Sequence, residues 1–345
     1  MGRRTATSSS IREFPLIRQL QRRFERGHPS IVKGIGDDAA VVALPPKSWT
    51  ILTTDLLAEG VHFDLRTADM ASVGFRAAMA NLSDVAAMGA QPRFLLVALA
   101  IPGTLRASDI THLYRGLMQA CSGAGVHLIG GDTSASRHGL FLSITLVGTA
   151  PPKHALFRHG ARIGDRLYVT GTLGDSLAGL QLLSHTEQRA SRRRLSAAHR
   201  RFLVDRHLRP TARVAEGRWL ARSGLATAAM DVSDGLSGDL RHLCEESGVG
   251  ACVETALLPL SPACQAYGLV HDIDPVTLAL AGGEDYELLC TARPQDEPAL
   301  MRQAARQGFQ ITRIGEICPR RVGITTRLTD GRTHPLPVTS YRHFE

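Results

Sequence analysis

The sequence of 345 residues is poor in several features that mark common protein classes. Aromatic residues make up only 5% of it, and the longest uninterrupted apolar stretch, Phe94 to Ile101, is far too short to span a bilayer. The six cysteines form no Cys-x-x-Cys pair, so we expect neither a zinc site nor a disulfide framework, and a reducing cytoplasm fits. The first ten residues are polar rather than an apolar signal segment, and we expect no association with a membrane.

The familiar nucleotide-binding motifs are also missing. A phosphate-binding loop of the form G-x-x-x-x-G-K-[ST] requires a Gly-Lys pair, and Lys33, Lys47 and Lys153 each follow another residue type. The protein-kinase motifs H-R-D and D-F-G do not occur. A nucleotide would therefore have to be held by backbone amides of glycine-rich turns, by arginine and by carboxylates that share a metal ion.

Positive charge is in excess, with a formal net charge of +8. Much of it lies between Arg189 and Arg213, in a segment of helical character around Leu195, Phe202 and Leu203. Because no aromatic residues alternate with these arginines to stack on bases, we interpret the segment as a solvated helix face whose three apolar residues pack inward. Binding of nucleic acid is the alternative, and a steep loss of affinity with salt would be its signature. The other arginines concerned are Arg192, Arg193, Arg194, Arg200, Arg201, Arg206 and Arg209.

Aspartate beside small residues is what the sequence has in abundance. Four such clusters lie near the ends of apolar runs, at residues 34–40, 53–55, 130–133 and 230–235. Each cluster alone is ordinary turn chemistry, and for residues 130–132 a plain turn is the stronger interpretation. Their joint occurrence favours a site for hard cations, because Mg²⁺ takes oxygen ligands and usually keeps phosphate oxygens among them. We therefore predict a Mg²⁺-dependent enzyme that acts on phosphates.

Strands and helices alternate along both halves of the chain, so the fold class is α/β or α+β. Pro151-Pro152 interrupts the alternation and predicts two domains, residues 11–150 and 151–345. The predicted strands are residues 51–56, 94–100, 140–148, 166–170, 228–232, 250–254, 286–292 and 310–317. The predicted helices are residues 72–89, 108–124, 175–184, 212–223, 236–246 and 296–307.

Two of these elements carry candidate ligands. In the strand at residues 51–56 the two-residue period puts Thr53 and Asp55 on one face and Thr54 on the other. In the helix at residues 72–89, Asn81 and Asp84 share one side of an apolar cylinder. An aspartate there is costly unless it faces a cation or hydrogen-bond donors, although an exposed position or a local hydrogen bond would also account for it.

Seven ordered motifs carry a resemblance that runs from about residue 12 to Phe344. The chain resembles the thiamine-monophosphate kinase family, in the superfamily that also contains aminoimidazole ribonucleotide synthetase and selenophosphate synthetase. The motifs are residues 34–40 (GIGDDAA), 53–55 (TTD) with 60–63 (GVHF), 80–90 (ANLSDVAAMGA), 129–133 (IGGDT), 169–176 (VTGTLGDS), 231–236 (DVSDGL) and 282–288 (GGEDYEL).

The resemblance implies ATP-dependent phosphorylation of thiamine monophosphate to thiamine diphosphate. It also implies the two-domain aminoimidazole ribonucleotide synthetase-like fold, with an N-terminal sheet domain that dimerises, a C-terminal α/β domain and a homodimer that pairs its N-terminal sheets. Small-molecule substrates, several Mg²⁺ ions and no nucleic acid are the implied partners. Because the acceptor is itself a phosphate, largely dianionic at neutral pH, no protein base is expected.

Site roles follow from the matched motifs. The implied Mg²⁺ ligands are Asp38, Asp55, Asp84, Asp132, Asp231 and Asp234, with oxygens from Thr53 and Thr54; Asp55, Asp132 and Asp231 are the residues expected to matter most for catalysis. The implied ATP contacts are Gly131, Asp132, Arg158, Ser233 and, as a looser match, Tyr114. The implied substrate contacts are His62, Glu284 and Tyr341. The family usually ends in Gly-aromatic-x-His-Phe, whereas here Ser340 replaces the glycine before Tyr341.

A sister ATP-dependent synthetase would share this machinery. A selenium enzyme, however, would need Cys or Lys in a glycine-rich N-terminal loop, and this sequence has neither there. A hydrogenase-maturation relative would be expected to end in a reactive cysteine, whereas this sequence ends in Phe344-Glu345.

Overall fold

The computed structural model describes residues 13–35, 39–184, 194–337 and 339–341. By its internal contacts the chain divides into two compact units, residues 1–81 with 92–149, and residues 82–91 with 150–345. The domain boundary predicted at Pro151-Pro152 stays a prediction. The division by contacts falls beside it, after Thr149, and also counts residues 82–91 with the second unit.

The first unit is built on a four-stranded sheet. Its strand order is β3-β6-β4-β5, and β4 and β5 run parallel. Two glycines allow the helices α2 and α3 to approach closely, since a Cβ at Gly74 would overlap the Leu113 carbonyl and one at Gly116 would overlap the Ala71 carbonyl. The elements up to the last strand of this sheet are α1 (Glu13–Phe24), β1 (Ile31–Lys33), β2 (Val41–Val42), β3 (Trp49–Ala58), α2 (Met70–Ala87), β4 (Gln91–Pro102), α3 (Ala107–Ser122), β5 (His127–Ser136) and β6 (Phe141–Ala150).

The turn interpretation of residues 130–132 is wrong. These residues lie inside β5, where Gly131 pairs with Val97 and Asp132 pairs with Ala98. A Cβ at Gly131 would overlap the Val97 carbonyl oxygen, so glycine serves close strand pairing here rather than a reversal of the chain.

The second unit is built on a seven-stranded mixed sheet of order β13-β12-β9-β11-β7-β10-β8, in which β12 and β9 are parallel. Both faces of this sheet are covered. Leu167 and Val169 pack on one side with α7 and α9, and Tyr168 packs on the other side with α6 and α10. The elements are β7 (Arg166–Thr170), α4 (Asp175–Ser184), α5 (Ala197–Leu208), α6 (Val214–Ser223), β8 (Ala226–Val232), α7 (Leu236–Ser247), β9 (Gly250–Glu254), α8 (Pro262–His271), α9 (Pro275–Ala281), β10 (Glu287–Ala292), α10 (Glu297–Gln307), β11 (Ile311–Cys318), β12 (Ile324–Arg327) and β13 (Thr333–Pro335).

Most predicted elements lie within two or three residues of the observed bounds, and β7, α4 and β9 match them. The predictions missed the helices α1, α8 and α9 and the strands β1, β2, β5, β12 and β13. Within the described residues, no helix is both long and apolar enough to cross a bilayer.

The solvated interpretation of the arginine-rich segment is wrong at its C-terminal end. The side chains of Arg206 and Arg213 are only 12% and 22% exposed, and both form ion pairs with Glu287. Leu203 is fully buried and Leu195 packs beside it as predicted, but Phe202 is 41% exposed. Arg189, Arg192 and Arg193 lie outside the described residues.

Candidate functional site

The candidate site residues fall into two groups, one in each compact unit. In the first unit, β3 carries Thr53, Thr54 and Asp55, and exposure alternates along it as predicted: Thr54 is exposed and its two neighbours are half-buried. The Thr54 hydroxyl donates to the Ile144 carbonyl at 3.0 Å and accepts from the Thr145 hydroxyl at 3.2 Å. Both hydrogen bonds thus hold the Thr54 hydroxyl against β6.

His62 lies in the turn that follows β3. The Ala58 N–H donates to His62 Nδ1 at 3.0 Å, and the His62 N–H donates to the Ala58 carbonyl at 2.9 Å. Because Nδ1 accepts, a neutral His62 carries its proton on Nε2 and can donate from that nitrogen. The local hydrogen bonds thus fix both the ring and its tautomer.

Asp132 and Tyr114 differ in accessibility. Asp132 is exposed on β5, and its Oδ1 accepts the Thr133 N–H at 2.8 Å. Tyr114 is only 4% exposed, its ring centroid lies 5.7 Å from that of Phe24, and burial raises its pKa above the ordinary value. In this structure the Tyr114 ring is therefore covered rather than open to a nucleotide.

In the second unit, Asp84 and Asp231 form an acidic pair. Asp231 is 2% exposed and accepts the Ser83 hydroxyl at 2.7 Å. Burial, followed by the negative charge of Asp84, raises the pKa of Asp231 to about 7, while Ser83 and the charge of Arg158 oppose the rise. A cation would stabilise these two carboxylates, which repel each other where Asp231 is shielded from water. Across the described part of the chain, no group of three or more His, Cys, Asp or Glu residues forms a ready metal cage.

A buried carboxylate that sequence reasoning missed shapes the loop after β8. Asp239 Oδ2 accepts the backbone N–H groups of Ser233, Asp234 and Gly235, at 3.0, 3.1 and 3.0 Å. Burial, then the charges of Asp231 and Asp234, raise the pKa of Asp239 well above its ordinary value. The sequence signal was available, since an aspartate in the first turn of a helix commonly binds N–H groups that precede the helix.

Two further predicted residues meet this loop. The Glu284 N–H donates to the Ser233 carbonyl at 2.7 Å, and the Tyr341 N–H donates to the Asp234 carbonyl at 3.1 Å. The ring of Tyr341 is 49% exposed, as a stacking partner would need to be. The structure thus brings Glu284 and Tyr341, which lie far away in the sequence, to the adjacent residues Ser233 and Asp234.

The glycine-rich turn before α4 is closed to a phosphate. The Asp285 carboxylate is fully buried and accepts the N–H groups of Gly174 and Ser176, at 2.6 and 3.0 Å. Burial raises the pKa of Asp285 to about 7. A carboxylate of the protein itself therefore occupies the helix N-terminus that a phosphate could otherwise use.

Two predicted residues remain. Arg158 is exposed, its carbonyl accepts the Ser247 hydroxyl at 3.0 Å, and its charge acts on Asp231. Asp38 lies outside the described residues.

Comparison with known proteins adds a chain-wide likeness. Residues 36–150 match the family model of AIR synthase related protein, N-terminal domain, and residues 162–326 match that of AIR synthase related protein, C-terminal domain. The chain is 37% identical to the thiamine-monophosphate kinase of Escherichia coli (strain K12) over 332 residues, which cover 96% of this chain and 98% of that protein.

Solved structures show the same likeness. The thiamine-monophosphate kinase from Stenotrophomonas maltophilia K279a matches with a TM-score of 0.77 at 35% identity, over 92% of this chain and 95% of the other. AaThiL complexed with AMPPCP and TMP matches with a TM-score of 0.74 at 34% identity, over 98% of this chain and 100% of the other.

Proposed function

The chain belongs to the thiamine-monophosphate kinase family, and from this premise we propose that it uses ATP to phosphorylate thiamine monophosphate to thiamine diphosphate. The observation that carries the proposal is the match along 98% of the chain to a relative complexed with AMPPCP, an ATP analogue, and TMP. The two family models also confirm the expected two-domain, aminoimidazole ribonucleotide synthetase-like fold.

The reaction joins two anions. An oxygen of the acceptor phosphate attacks the γ-phosphorus of ATP, a new P–O bond forms, and the bond from that phosphorus to the β,γ-bridging oxygen breaks to release ADP. The second pKa of a phosphate monoester is about 6, so the acceptor is already a nucleophile at neutral pH and needs no protein base. Repulsion between the two phosphates is the main obstacle, and direct in-line transfer without a phosphoenzyme is the simplest course.

The chain's own acidic residues fit Mg²⁺. The pair of half-buried Asp84 and buried Asp231 supports this assignment, because their negative charges repel each other. When bound, Mg²⁺ would neutralise phosphate charge. The residues proposed to hold several Mg²⁺ ions are Asp38, Asp55 and Asp132, with oxygens of Thr53 and Thr54, in the first unit, and Asp84, Asp231 and Asp234 in the second unit.

The remaining candidates bind and orient the two substrates. We assign ATP to Gly131, Arg158, Ser233 and Tyr114, and thiamine monophosphate to His62, Glu284 and Tyr341. His62 suits the acceptor phosphate because its Nε2 can donate a hydrogen bond while Nδ1 is occupied by Ala58. Because ATP is the phosphoryl donor, we place the reaction in the cytoplasm.

The acceptor is tested with purified protein, Mg-ATP and a panel of thiamine monophosphate, thiamine, selenide and formylglycinamidine ribonucleotide, with products identified by mass. We expect thiamine diphosphate from thiamine monophosphate and a far slower reaction with thiamine. Equal or faster turnover of unphosphorylated thiamine would contradict the assignment, and a product from either of the last two substrates would indicate a sister synthetase.

We also propose that the protein forms a homodimer through the sheet of the first unit. Leu52 and Leu56 on β3 are 67% and 58% exposed, and Phe141 on β6 is 37% exposed, which is unusual for one apolar face. Light scattering should give twice the chain mass for the wild type and the single mass for Leu52→Asp with Leu56→Asp. A wild-type monomer at micromolar concentration would refute the dimer.

A further inference from the structure

We propose that Arg206 and His207, adjacent residues of α5, are positioning residues for the loop of residues 282–286, here called the substrate loop. Glu284 in this loop is the residue assigned to thiamine monophosphate, so the proposal rests on the proposed function and deepens it. In this arrangement α5 sets the position of Glu284 and thereby the affinity for the acceptor substrate. The affinity for ATP depends little on α5.

The substrate loop has a backbone that needs external support. Glu284 and Tyr286 have φ angles of 63° and 52°, in the left-handed region that residues other than glycine rarely adopt. Such a conformation persists only where the surrounding structure holds it, and it is commonest at functional sites. On one side the support comes from β8 and its following loop, because Tyr286 N–H donates to the Val232 carbonyl at 2.9 Å and Glu284 N–H donates to Ser233.

Arg206 supports the substrate loop from the side of α5. Its Nη2 donates to Glu287 Oε1 at 2.9 Å and lies 3.4 Å from the carbonyl oxygens of both Thr172 and Asp285. Its Nε lies 3.7 Å from Asp175 Oδ2. One guanidinium thus joins the turn before α4 to the main chain of the substrate loop and to the strand that follows it.

His207 reaches the side chain that would meet the substrate. The residue is 3% exposed, and its Nδ1 lies 3.1 Å from the Ser176 hydroxyl and 3.5 Å from Glu284 Oε2. Ser176 is tied to the same loop through its N–H bond to Asp285. The imidazole therefore lies between Ser176 and the Glu284 carboxylate and limits the positions that this carboxylate can take.

The position of α5 is itself enforced by close packing. A Cβ at Gly179 of α4 would overlap the Leu203 carbonyl and would lie 3.0 Å from His207 Cβ. The two helices can therefore approach closely only because residue 179 is glycine, and this approach places Arg206 and His207 against the substrate loop.

A general stabilising role and a positioning role predict different kinetics. If the contacts of Arg206 and His207 only stabilise the fold, their loss lowers the free energy of unfolding and changes the KM values of both substrates alike. If it positions Glu284, its loss raises KM for thiamine monophosphate selectively, because ATP is assigned to other residues.

The test uses the full-length enzyme with His207→Leu, and His199→Leu as a matched control on the same helix. We expect His207→Leu to raise KM for thiamine monophosphate about tenfold, the effect of losing a polar contact worth about 1.4 kcal/mol at the residue assigned to this substrate. KM for ATP should change less than about twofold. His207→Gln, which keeps a donor, should recover most of the loss, and His199→Leu should behave as the wild type.

Arg206→Lys and its exposed control Arg201→Lys extend the test. Lysine keeps the charge but cannot bridge Glu287 and two carbonyls at once, so the same selective rise in KM is expected for Arg206→Lys alone. The proposal would be overturned if the KM values for thiamine monophosphate and ATP changed equally. It would also be overturned if the unfolding midpoint fell while neither KM changed more than the other. If His207→Leu does not fold, Arg206→Lys decides it by the same criterion.

Failure of the proposed function gives a separate result. In that case the wild type would not phosphorylate thiamine monophosphate at all. Hydrogen exchange at residues 282–287 would then still measure how firmly α5 holds this segment. Faster exchange in Arg206→Lys and His207→Leu than in the two controls is expected, and unchanged exchange would overturn the proposal.

Discussion

At the scale of single residues, the aspartates of this chain differ in how their charge is compensated. Asp55 is half-buried and Asp132 is exposed, and both remain accessible to ions from solvent. Asp239 and Asp285 are buried and accept three and two backbone N–H groups. The first kind suits binding of metal and phosphate, and the second kind fixes the loops around the site.

Asp55→Asn and Asp132→Asn should each lower turnover by at least about a hundredfold, because each variant removes the charge of a proposed Mg²⁺ ligand. Circular dichroism should show an unchanged fold. Asp205→Asn, an exposed aspartate on α5, is the control and should leave turnover unaltered. Turnover near the wild-type value at limiting Mg²⁺ would show that the residue concerned is not a ligand.

Asp239→Ala should weaken both stability and ATP binding. Three N–H groups lose their acceptor, which costs about 1–3 kcal/mol of unfolding free energy, and the loop that carries Ser233 loses its fixed shape. Urea unfolding and KM for ATP measure the two effects. Asp239→Asn keeps one acceptor oxygen and should be intermediate, and the exposed Glu245→Ala on α7 should match the wild type. An unchanged KM for ATP in Asp239→Ala would refute the role in ATP binding.

At the scale of elements, α5 has two chemically different ends. Arg201 is exposed, whereas Arg206 and His207, more than one turn later, face inward to acidic groups. Arg213, just before α6, grips Glu287 with two nitrogens at 2.6 Å. Proximity along the chain therefore does not make these arginines equivalent, because the direction of each side chain depends on its place on the helix.

Arg213→Gln should lower the unfolding free energy by about 3 kcal/mol, since it removes one partner of a buried ion pair and leaves the fully buried Glu287 with less compensation. Arg201→Gln is the matched control and should change it by no more than about 0.5 kcal/mol. Urea unfolding measures both variants. Equal stability of the two variants would show that the Arg213–Glu287 pair contributes nothing net.

Replacing Arg192, Arg193 and Arg194 together by Gln should leave turnover within about twofold, because surface changes away from special features usually have small effects. The described member of the set, Arg194, is exposed. Micromolar binding of DNA or RNA at about 0.15 M salt that disappears in the triple variant would instead support the nucleic-acid alternative.

At the scale of the whole molecule, several carboxyl groups have raised pKa values in the folded state. Burial is the largest cause for Asp175, Asp231, Asp239 and Asp285. In the pH window between an ordinary aspartate pKa and the raised one, the folded state binds a proton that the unfolded state has lost. Each such group therefore favours folding at the acidic end of the window and loses that contribution as pH rises.

Asp285→Asn should reveal this dependence, because its pKa in the folded protein is about 7. Between about pH 4 and 7 the variant's stability relative to the wild type should increase with pH, by at most about 1.4 kcal/mol per pH unit for one proton. Above pH 7 the difference should be constant. Urea unfolding with a chelator present, at several pH values from 4.5 to 8.5, provides the measurement. Asp205→Asn should show no such trend, and a pH-independent difference for Asp285→Asn would contradict the assignment.

The sequence by itself determined the alternation of strands and helices and the family. Local patterns suffice for these, since hydrophobic period, glycine and proline act over a few residues, and seven ordered motifs identify the family. The face alternation of Thr53, Thr54 and Asp55 is a case in which period alone gave the right answer. The roles of the site residues remain predictions.

Tertiary structure alone decided which charges are buried and what they hold. Nothing local distinguishes Arg206 from Arg201, or marks Asp239 as the acceptor of three N–H groups, because burial depends on elements distant in the sequence. The same reason explains residues 130–132: their glycines predict a turn locally, but pairing with β4 makes them a strand. Long-range packing thus turned a charged helix face and two glycine-rich segments into the supports of the candidate site.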